Sequence, residues 1–230
     1  MSDNFTIVWE ALPFLLGGVG TTLGLVIGAL GLGFLLGLPI ALLQVYGKKP
    51  VTNLLSVYVW FFRGLPVLVL LYLFYFGLFS LVRLNMPAFT AAILVLGLRS
   101  SAYQSQLFRG SIRSIGNGQM LAGLSVGMSK TQTIGFIIVP QALRLSIAAW
   151  SNEYSIILKD SAIAFAIGVT EILTRGSFIS TTTYRPMPVY LTCGVIFLIL
   201  TYGGLSLLSI LEKKTHIPGF GPDSEQKDKR

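Results

Sequence analysis

The sequence contains very little cysteine, histidine or charge. Cys193 is the single cysteine in 230 residues, which excludes a disulfide framework and a cysteine-based metal site. His216 is the single histidine and lies in the C-terminal tail, which excludes histidine-cluster metal sites and histidine-based catalytic triads. Only 11% of the residues are charged, so a soluble domain of this size is also excluded.

Apolar residues take the place of those that are missing. They make up 53% of the chain, and the mean hydropathy is +0.74. Runs of 18 or more apolar residues predict transmembrane helices. The net charge of +8 then indicates basic loops beside anionic lipid rather than a nucleic-acid-binding surface. The N-terminus lacks a basic region typical of a signal peptide, so we expect the first helix to remain in the mature protein.

The apolar pattern predicts five transmembrane spans. They run from about Pro13 to Val45, Leu54 to Val82, Ala88 to Leu107, near Leu143 onward, and Val189 to Leu211.

Three stretches interrupt this pattern. Pro66 is expected to kink or restart the second helix, since proline removes a backbone donor. Residues 162–173 are weakly apolar and either complete the fourth span or fold back as a re-entrant segment. The polar, threonine-rich stretch from Arg175 to Pro188 is predicted to be a loop.

The basic residues predict the orientation. Five spans place the termini on opposite sides, with an N-terminus outside, a core of about residues 10–212 and a cytoplasmic tail at 213–230. The outer loops then hold only Arg83, Arg175 and Arg185. The inner segments hold Lys48, Lys49, Arg63, Arg109, Arg113, Lys130, Arg144, Lys213, Lys214, Lys227, Lys229 and Arg230.

A polar, glycine-punctuated segment at 109–141 separates the third and fourth spans. Asn117 is suited to N-cap a short helix, and Gly127 to end it as the first residue beyond the C-cap. That helix carries Met120, Leu121 and Leu124 on one side. Because so short a helix is marginal in water, its apolar face is expected to pack against something.

A second short helix is predicted directly after the first. Ser129 and Gln132 have the spacing of a capping box, and Pro140 is expected to disturb the helix that continues beyond. Residues 123–131 contain glycines, lysine and threonine but not with the spacing of a phosphate-binding loop. The chain is therefore not expected to bind ATP.

Four ionisable residues lie on the predicted third and fourth spans, where charge is costly. Lys159 and Asp160 are interpreted as a structural ion pair, or as part of one. Arg99 and Glu153 are interpreted as lining a substrate pathway, since a guanidinium and a carboxylate together suit a zwitterionic amino acid. The rival interpretation is an Arg99–Glu153 salt bridge without a ligand role.

The 109–141 segment resembles the EAA loop of ABC-importer membrane subunits. The resemblance rests on Gly118-Gln119, Ala122, Gly127, Ile137 and Pro140-Gln141-Ala142. Leu121 stands where the family usually has glutamate, and Gly123 where it has a second alanine. Further elements look like the polar amino-acid branch of that family: Gln106–Gly110, Leu158–Ser161 and Arg63–Pro66.

The resemblance implies an all-α integral membrane fold with about five transmembrane helices. As in type I ABC importers, a cytoplasmic coupling helix would lie between the third and fourth. The chain, residues 1–230, would form one permease domain. Contact with an ATPase subunit is expected from Gly118, Gln119, Met120, Leu121, Ala122, Leu124 and Gly127.

The resemblance also implies partners. A second permease subunit, two ATPase subunits and an external solute-binding protein are expected, with ATP and magnesium held by the ATPases and no cofactor in this chain. The substrate would be a polar amino acid crossing the inner membrane. An ion-coupled secondary carrier is the alternative, although no internal repeat is visible. A membrane enzyme is a weaker alternative because no catalytic cluster is present.

Overall fold

The computed structural model describes residues 2–215 and the side chains of residues 8–214. Within these ranges every regular element is helical. His216 and the predicted tail beyond residue 215 lie outside the described residues.

Ten helices follow one another along the described chain, two of them extended by turns of π-helix and one by a 3₁₀ turn. They are α1 (Ser2–Leu16), α2 (Val19–Tyr46), α3 (Lys49–Gly64), α4 (Val67–Tyr72, continuing as π-helix Leu73–Phe79), α5 (Ala88–Ser114), α6 (Gly118–Ser125), α7 (Lys130–Thr133, continuing as π-helix Ile134–Ile138), α8 (Val139–Ser161, continuing as 3₁₀-helix Ala162–Ile167), α9 (Ile172–Thr183) and α10 (Pro186–Thr215).

Three helical stretches among the described residues are long and apolar enough to cross a membrane. They are Val8–Tyr46, Lys130–Ile167 and Pro186–Lys214, and they coincide with the first, fourth and fifth predicted spans. The second predicted span is bent by 109° between Lys49–Gly64 and Val67–Phe79, which confirms the break expected at Pro66.

The third predicted span corresponds to α5, which differs from the others. Its 27 residues reach roughly 40 Å, enough to cross a bilayer, but it lacks the apolarity of the other candidate spans. Its polar side chains are turned inward: Ser100, Ser101, Gln104 and Ser105 are all buried. The helix therefore keeps its polar residues against its neighbours rather than against lipid.

One predicted boundary is wrong, and one stretch that the sequence left open is resolved. The fourth helix begins at Lys130 rather than near Leu143, because the turns after the capping box run on into α8 without a break. The stretch 162–173, left open by the sequence, divides: Ala162–Ile167 completes the fourth helix, and Gly168, at φ +88°, ends it.

The predicted loop from Arg175 to Pro188 is also wrong, since much of it forms α9. The helix begins because Glu171 caps it: the carboxylate accepts hydrogen bonds from the backbone N–H groups of Leu173, at 2.8 Å, and Thr174, at 2.6 Å. Glu171 is fully buried, and this burial raises its pKa, while the backbone hydrogen bonds oppose that rise. The carboxylate thus serves the fold.

Helices α2 and α5 form the most extensive pair in the described chain. Gly33 permits their close approach, since a Cβ there would lie 2.8 Å from the Oγ of Ser100. Gln104 of α5 then donates from Nε2 to the carbonyl of Leu30 over 3.1 Å, and its Oε1 accepts from Trp150 of α8 over 2.8 Å. One buried amide therefore joins α2, α5 and α8.

Candidate functional site

A partly buried ion pair connects α5 to α8. The guanidinium of Arg99 donates from Nη1 to Oδ2 of Asp160 over 2.6 Å, and the two side chains are 13% and 19% exposed. The Nε of Arg99 is buried without a hydrogen-bond partner among the described residues. An unpartnered buried donor is costly, so Arg99 retains capacity to bind a further acceptor.

Glu153 lies beside this pair. It is only 2% exposed, and its Oε1 accepts a hydrogen bond from the hydroxyl of Ser100 over 2.8 Å. Arg99, Asp160 and Arg63 all act on its carboxylate electrostatically. The cluster therefore holds two guanidiniums and two carboxylates, an arrangement suited to a ligand that carries both charges.

An aromatic ring joins the two arginines. The guanidinium of Arg63 lies 4.9 Å from the ring centroid of Tyr103, and that of Arg99 lies 4.8 Å from the same centroid. Such contacts attract a cation to the ring face. Arg63 is exposed and lies in the last turn of α3, before the break at Pro66. Its guanidinium is therefore at the bend between α3 and α4.

The structure specifies two of the sequence interpretations. Asp160 does belong to an ion pair that links two helices, but its partner is Arg99 rather than its neighbour Lys159, whose side chain is exposed, because successive helical residues point about 100° apart. The rival Arg99–Glu153 salt bridge is also absent from the described ion pairs, since Glu153 bonds to Ser100.

Tyr103 and the position of Arg63 were missed by sequence reasoning. No local signal marks Tyr103. Arg63 was recognised as part of the Arg63–Pro66 element of the family, but the sequence did not show that it lies close to α5.

The predicted short helix in the polar segment is α6, and its face differs in part from the prediction. Leu121 and Leu124 are exposed, at 63% and 44%, and Val126 beyond the helix end is 77% exposed. Met120 is instead partly buried against an apolar cluster that includes Phe108. The exposed apolar surface therefore consists of Leu121, Leu124 and Val126. The remaining coupling residues Gly118, Gln119, Ala122 and Gly127 are exposed as well.

The end of α6 has the predicted turn. Gly127 lies at φ +85° and donates to the carbonyl of Leu124 over 3.0 Å, while Met128 donates to the carbonyl of Gly123 over 3.1 Å. These two bonds form a Schellman motif. The role of Gly127 as the residue after the C-cap is thus confirmed.

The start of α7 is confirmed in the same way, whereas the start of α6 is not. Ser129 and Gln132 form a complete capping box, with bonds of 2.8 and 3.3 Å. Asn117 occupies the N-cap of α6 but makes no capping hydrogen bond with its side chain, since its backbone is already helical, at φ −80° and ψ −15°.

The two short helices pack together through Gly123. A Cβ at that position would lie 2.6 Å from Oγ1 of Thr133, whose side chain is fully buried. This contact explains why glycine occupies a position at which alanine was expected. It fixes α6 against the start of the long fourth helix.

The comparisons with known proteins now identify the family. Residues 29–217 match the family described as "Binding-protein-dependent transport system inner membrane component". The chain belongs to this family. It is accordingly the permease subunit of an ABC importer and a multi-pass inner membrane protein, and the all-α importer fold expected from the sequence is confirmed.

Curated relatives cover nearly the whole chain. The probable amino-acid permease protein YxeN of Bacillus subtilis (strain 168) is 38% identical over 203 residues, covering 85% of this chain and 90% of YxeN. The glutamine transport system permease protein GlnP of Escherichia coli (strain K12) is 30% identical over 218 residues, covering 94% and 100%.

Solved structures share the fold. A chain from the structure titled "Crystal structure of an amino acid ABC transporter with histidines" matches with a TM-score of 0.80 and 34% identity, over 89% of this permease and 95% of that chain. An inward-facing form of the MetNI methionine ABC transporter matches with a TM-score of 0.78 and 20% identity, over 89% and 97%.

Proposed function

We propose that this permease subunit imports a polar amino acid or a related small zwitterion. Two copies, or one copy and a related subunit, would form the pathway. Two ATPase subunits would supply the energy, and an external binding protein would deliver the substrate. ATP and magnesium would bind to the ATPases, with no cofactor in this chain.

The exposed apolar surface of α6 carries the proposal for the ATPase contact. Leu121, Leu124 and Val126 are exposed on a segment that is otherwise polar, and their turn is fixed by Gly127. Exposed apolar side chains rimmed by polar residues are typical of protein–protein contacts. Because α6 is packed on α7 through Gly123, a push on this surface would reach the fourth helix directly.

The charged cluster supports a zwitterionic substrate. The guanidinium of Arg63 has no carboxylate partner among the described residues, and the Nε of Arg99 has no acceptor there. Both suit a substrate carboxylate. Glu153 has a single hydrogen bond from Ser100 to one oxygen and suits the substrate ammonium group. Arg99 and Asp160 would hold each other in place until substrate arrives.

The names of the relatives favour the same substrate class. YxeN is named as a probable amino-acid permease protein and GlnP as a glutamine transport system permease protein. The basic residues support an N-terminus outside and α6 in the cytoplasm, where an ATPase has access to it.

Transport by the reconstituted complex tests this function. The permease would be co-expressed with its ATPase, purified, and placed in vesicles with the binding protein and a radiolabelled amino acid. Uptake that requires both ATP and the binding protein is expected. Uptake by the permease alone in ATP-free vesicles would contradict the proposal and support an ion-coupled carrier.

A further inference from the structure

A large apolar cavity lies in a groove between α2 and α10, and none of the residues of the charged cluster lines it. Its volume is about 1090 Å³. Both α2 and α10 pack on α8, but they make few contacts with each other, so α8 forms the floor of the groove. Ile27 and Leu35 lie on one wall, and Ile199 and Leu207 on the other.

One charged residue lines this groove. Arg144 lies on the floor near the start of α8, exposed and without a described ion-pair partner. Tyr154 donates to the carbonyl of Leu200 over 2.8 Å, and Leu158 and Phe197 belong to the same apolar cluster. Residues later in α10 therefore lie beside residues earlier in α8, so the two helices are antiparallel.

This direction brings the end of α10 to the level of Arg144. Leu211 lines the same end of the groove, and Lys213 and Lys214 follow in the last turn of the helix. Glu212 is the acid in that turn. Arg144 therefore lines an otherwise apolar groove, and the turn that carries Glu212, Lys213 and Lys214 directly follows Leu211 at the same end.

We propose that the groove binds an anionic phospholipid. The acyl chain would lie between α2 and α10, and the phosphate would bind the guanidinium of Arg144, which matches phosphate geometry. Basic groups beside an apolar surface at the edge of a bilayer are typical of anionic headgroup binding.

Glycines in the walls allow the groove to be filled without disturbing the fold. A Cβ at Gly203 would meet nothing within 4 Å, so Gly203→Phe should place its ring in the groove. Gly194 lies on the same helix, is equally open and does not line the groove, so Gly194→Phe is the matched control. For the charge, Arg144→Gln is matched by Lys49→Gln, an exposed base elsewhere.

The test measures phosphatidylglycerol bound to the purified permease–ATPase complex by native mass spectrometry. Arg144→Gln should weaken binding on the order of tenfold, equivalent to one charge-assisted contact, and Gly203→Phe should abolish it. The two controls should bind as the unaltered complex does. Phosphatidylcholine should bind much more weakly than phosphatidylglycerol.

Other results would overturn the proposal. Equal binding of the two lipids would exclude an anionic site, and unchanged binding in both groove variants would exclude this location. A disulfide between Gly203→Cys and a cysteine on the second permease copy would show that the groove is a subunit interface. Size-exclusion chromatography of each variant distinguishes these outcomes from failure to assemble.

Discussion

Arg99 and Asp160 are 61 positions apart in the sequence and 2.6 Å apart in space, as the ion pair that links α5 to α8. Both side chains are shielded from solvent, so removal of one partner leaves the other charge poorly solvated. The pair therefore offers a way to separate a structural role from a role in substrate binding.

Single neutralisation of this pair should destabilise the complex. Arg99→Gln and Asp160→Asn should each lower the free energy of unfolding by about 1–3 kcal/mol, since each leaves an uncompensated partner. The double variant should recover much of this loss, as measured by thermal unfolding. Arg113→Gln, an exposed base on the same helix, is the control and should have little effect.

Transport by the same variants decides the role of Arg99. If the pair only holds the helices together, the double variant should regain transport along with stability. We expect instead that transport stays impaired while basal ATP hydrolysis persists, because Arg99 also binds the substrate carboxylate. Wild-type transport in the double variant would remove Arg99 from the substrate site.

The second prediction concerns the exposed face of α6. Leu124→Asp places a charge in the proposed apolar contact, at a cost of several kcal/mol if unpaired. The complex should lose substrate-stimulated ATP hydrolysis while the permease still inserts into the membrane. Thr131→Asp adds the same charge at an exposed polar position of α7, where an acid suits the helix N-terminus, and should remain coupled. Normal transport by Leu124→Asp would end the coupling assignment.

The third prediction concerns the turn after α6. Gly127→Ala should destabilise the permease by about 1 kcal/mol, because φ +85° is unfavourable for residues with a Cβ. Gly135→Ala is the matched control: a Cβ there meets no atom within 4 Å, and its backbone is helical. That change should be neutral or stabilising by about 0.5–1 kcal/mol. Equal midpoints of thermal unfolding for the two variants would contradict the argument.

The fourth prediction concerns orientation. Cys193 is buried and should resist a membrane-impermeant maleimide, so the wild-type chain gives a low background. Thr131→Cys should be labelled only from the cytoplasmic side and Thr182→Cys only from outside, since both positions are exposed. The reverse pattern would overturn the proposed topology.

The local features of the 109–141 segment could be predicted because they depend on neighbouring residues. A glycine at the end of a short helix predicted the turn at Gly127, and the spacing of Ser129 and Gln132 predicted their mutual hydrogen bonds. Asn117 shows the limit of such rules: it occupies the N-cap position, but its backbone is helical and its side chain makes no capping hydrogen bond.

The features that depend on distant helices could not be predicted. The partner of Asp160 is set by how α5 packs on α8, and nothing in the sequence pointed to Arg99 as that partner. Helix α9 was missed because its composition is polar and because Glu171 is not among the usual N-cap residues. The third span was predicted, and it corresponds to α5. The burial of its polar face depends on packing against other helices, which the apolar pattern of the sequence did not predict.

The close packing of α2 on α5 has a mechanical consequence. At Gly33 a methyl group would collide with the side chains of Ser100 and Gln104 of α5, and Gln104 bonds across the contact to the carbonyl of Leu30. The pair should therefore resist bending and sliding, and α5 alone is roughly 40 Å long. Only Ile115, Gly116 and Asn117 separate its end from α6. If an ATPase displaces α6, α2 and α5 would then move together as one rigid body and transmit the displacement to the opposite face of the membrane.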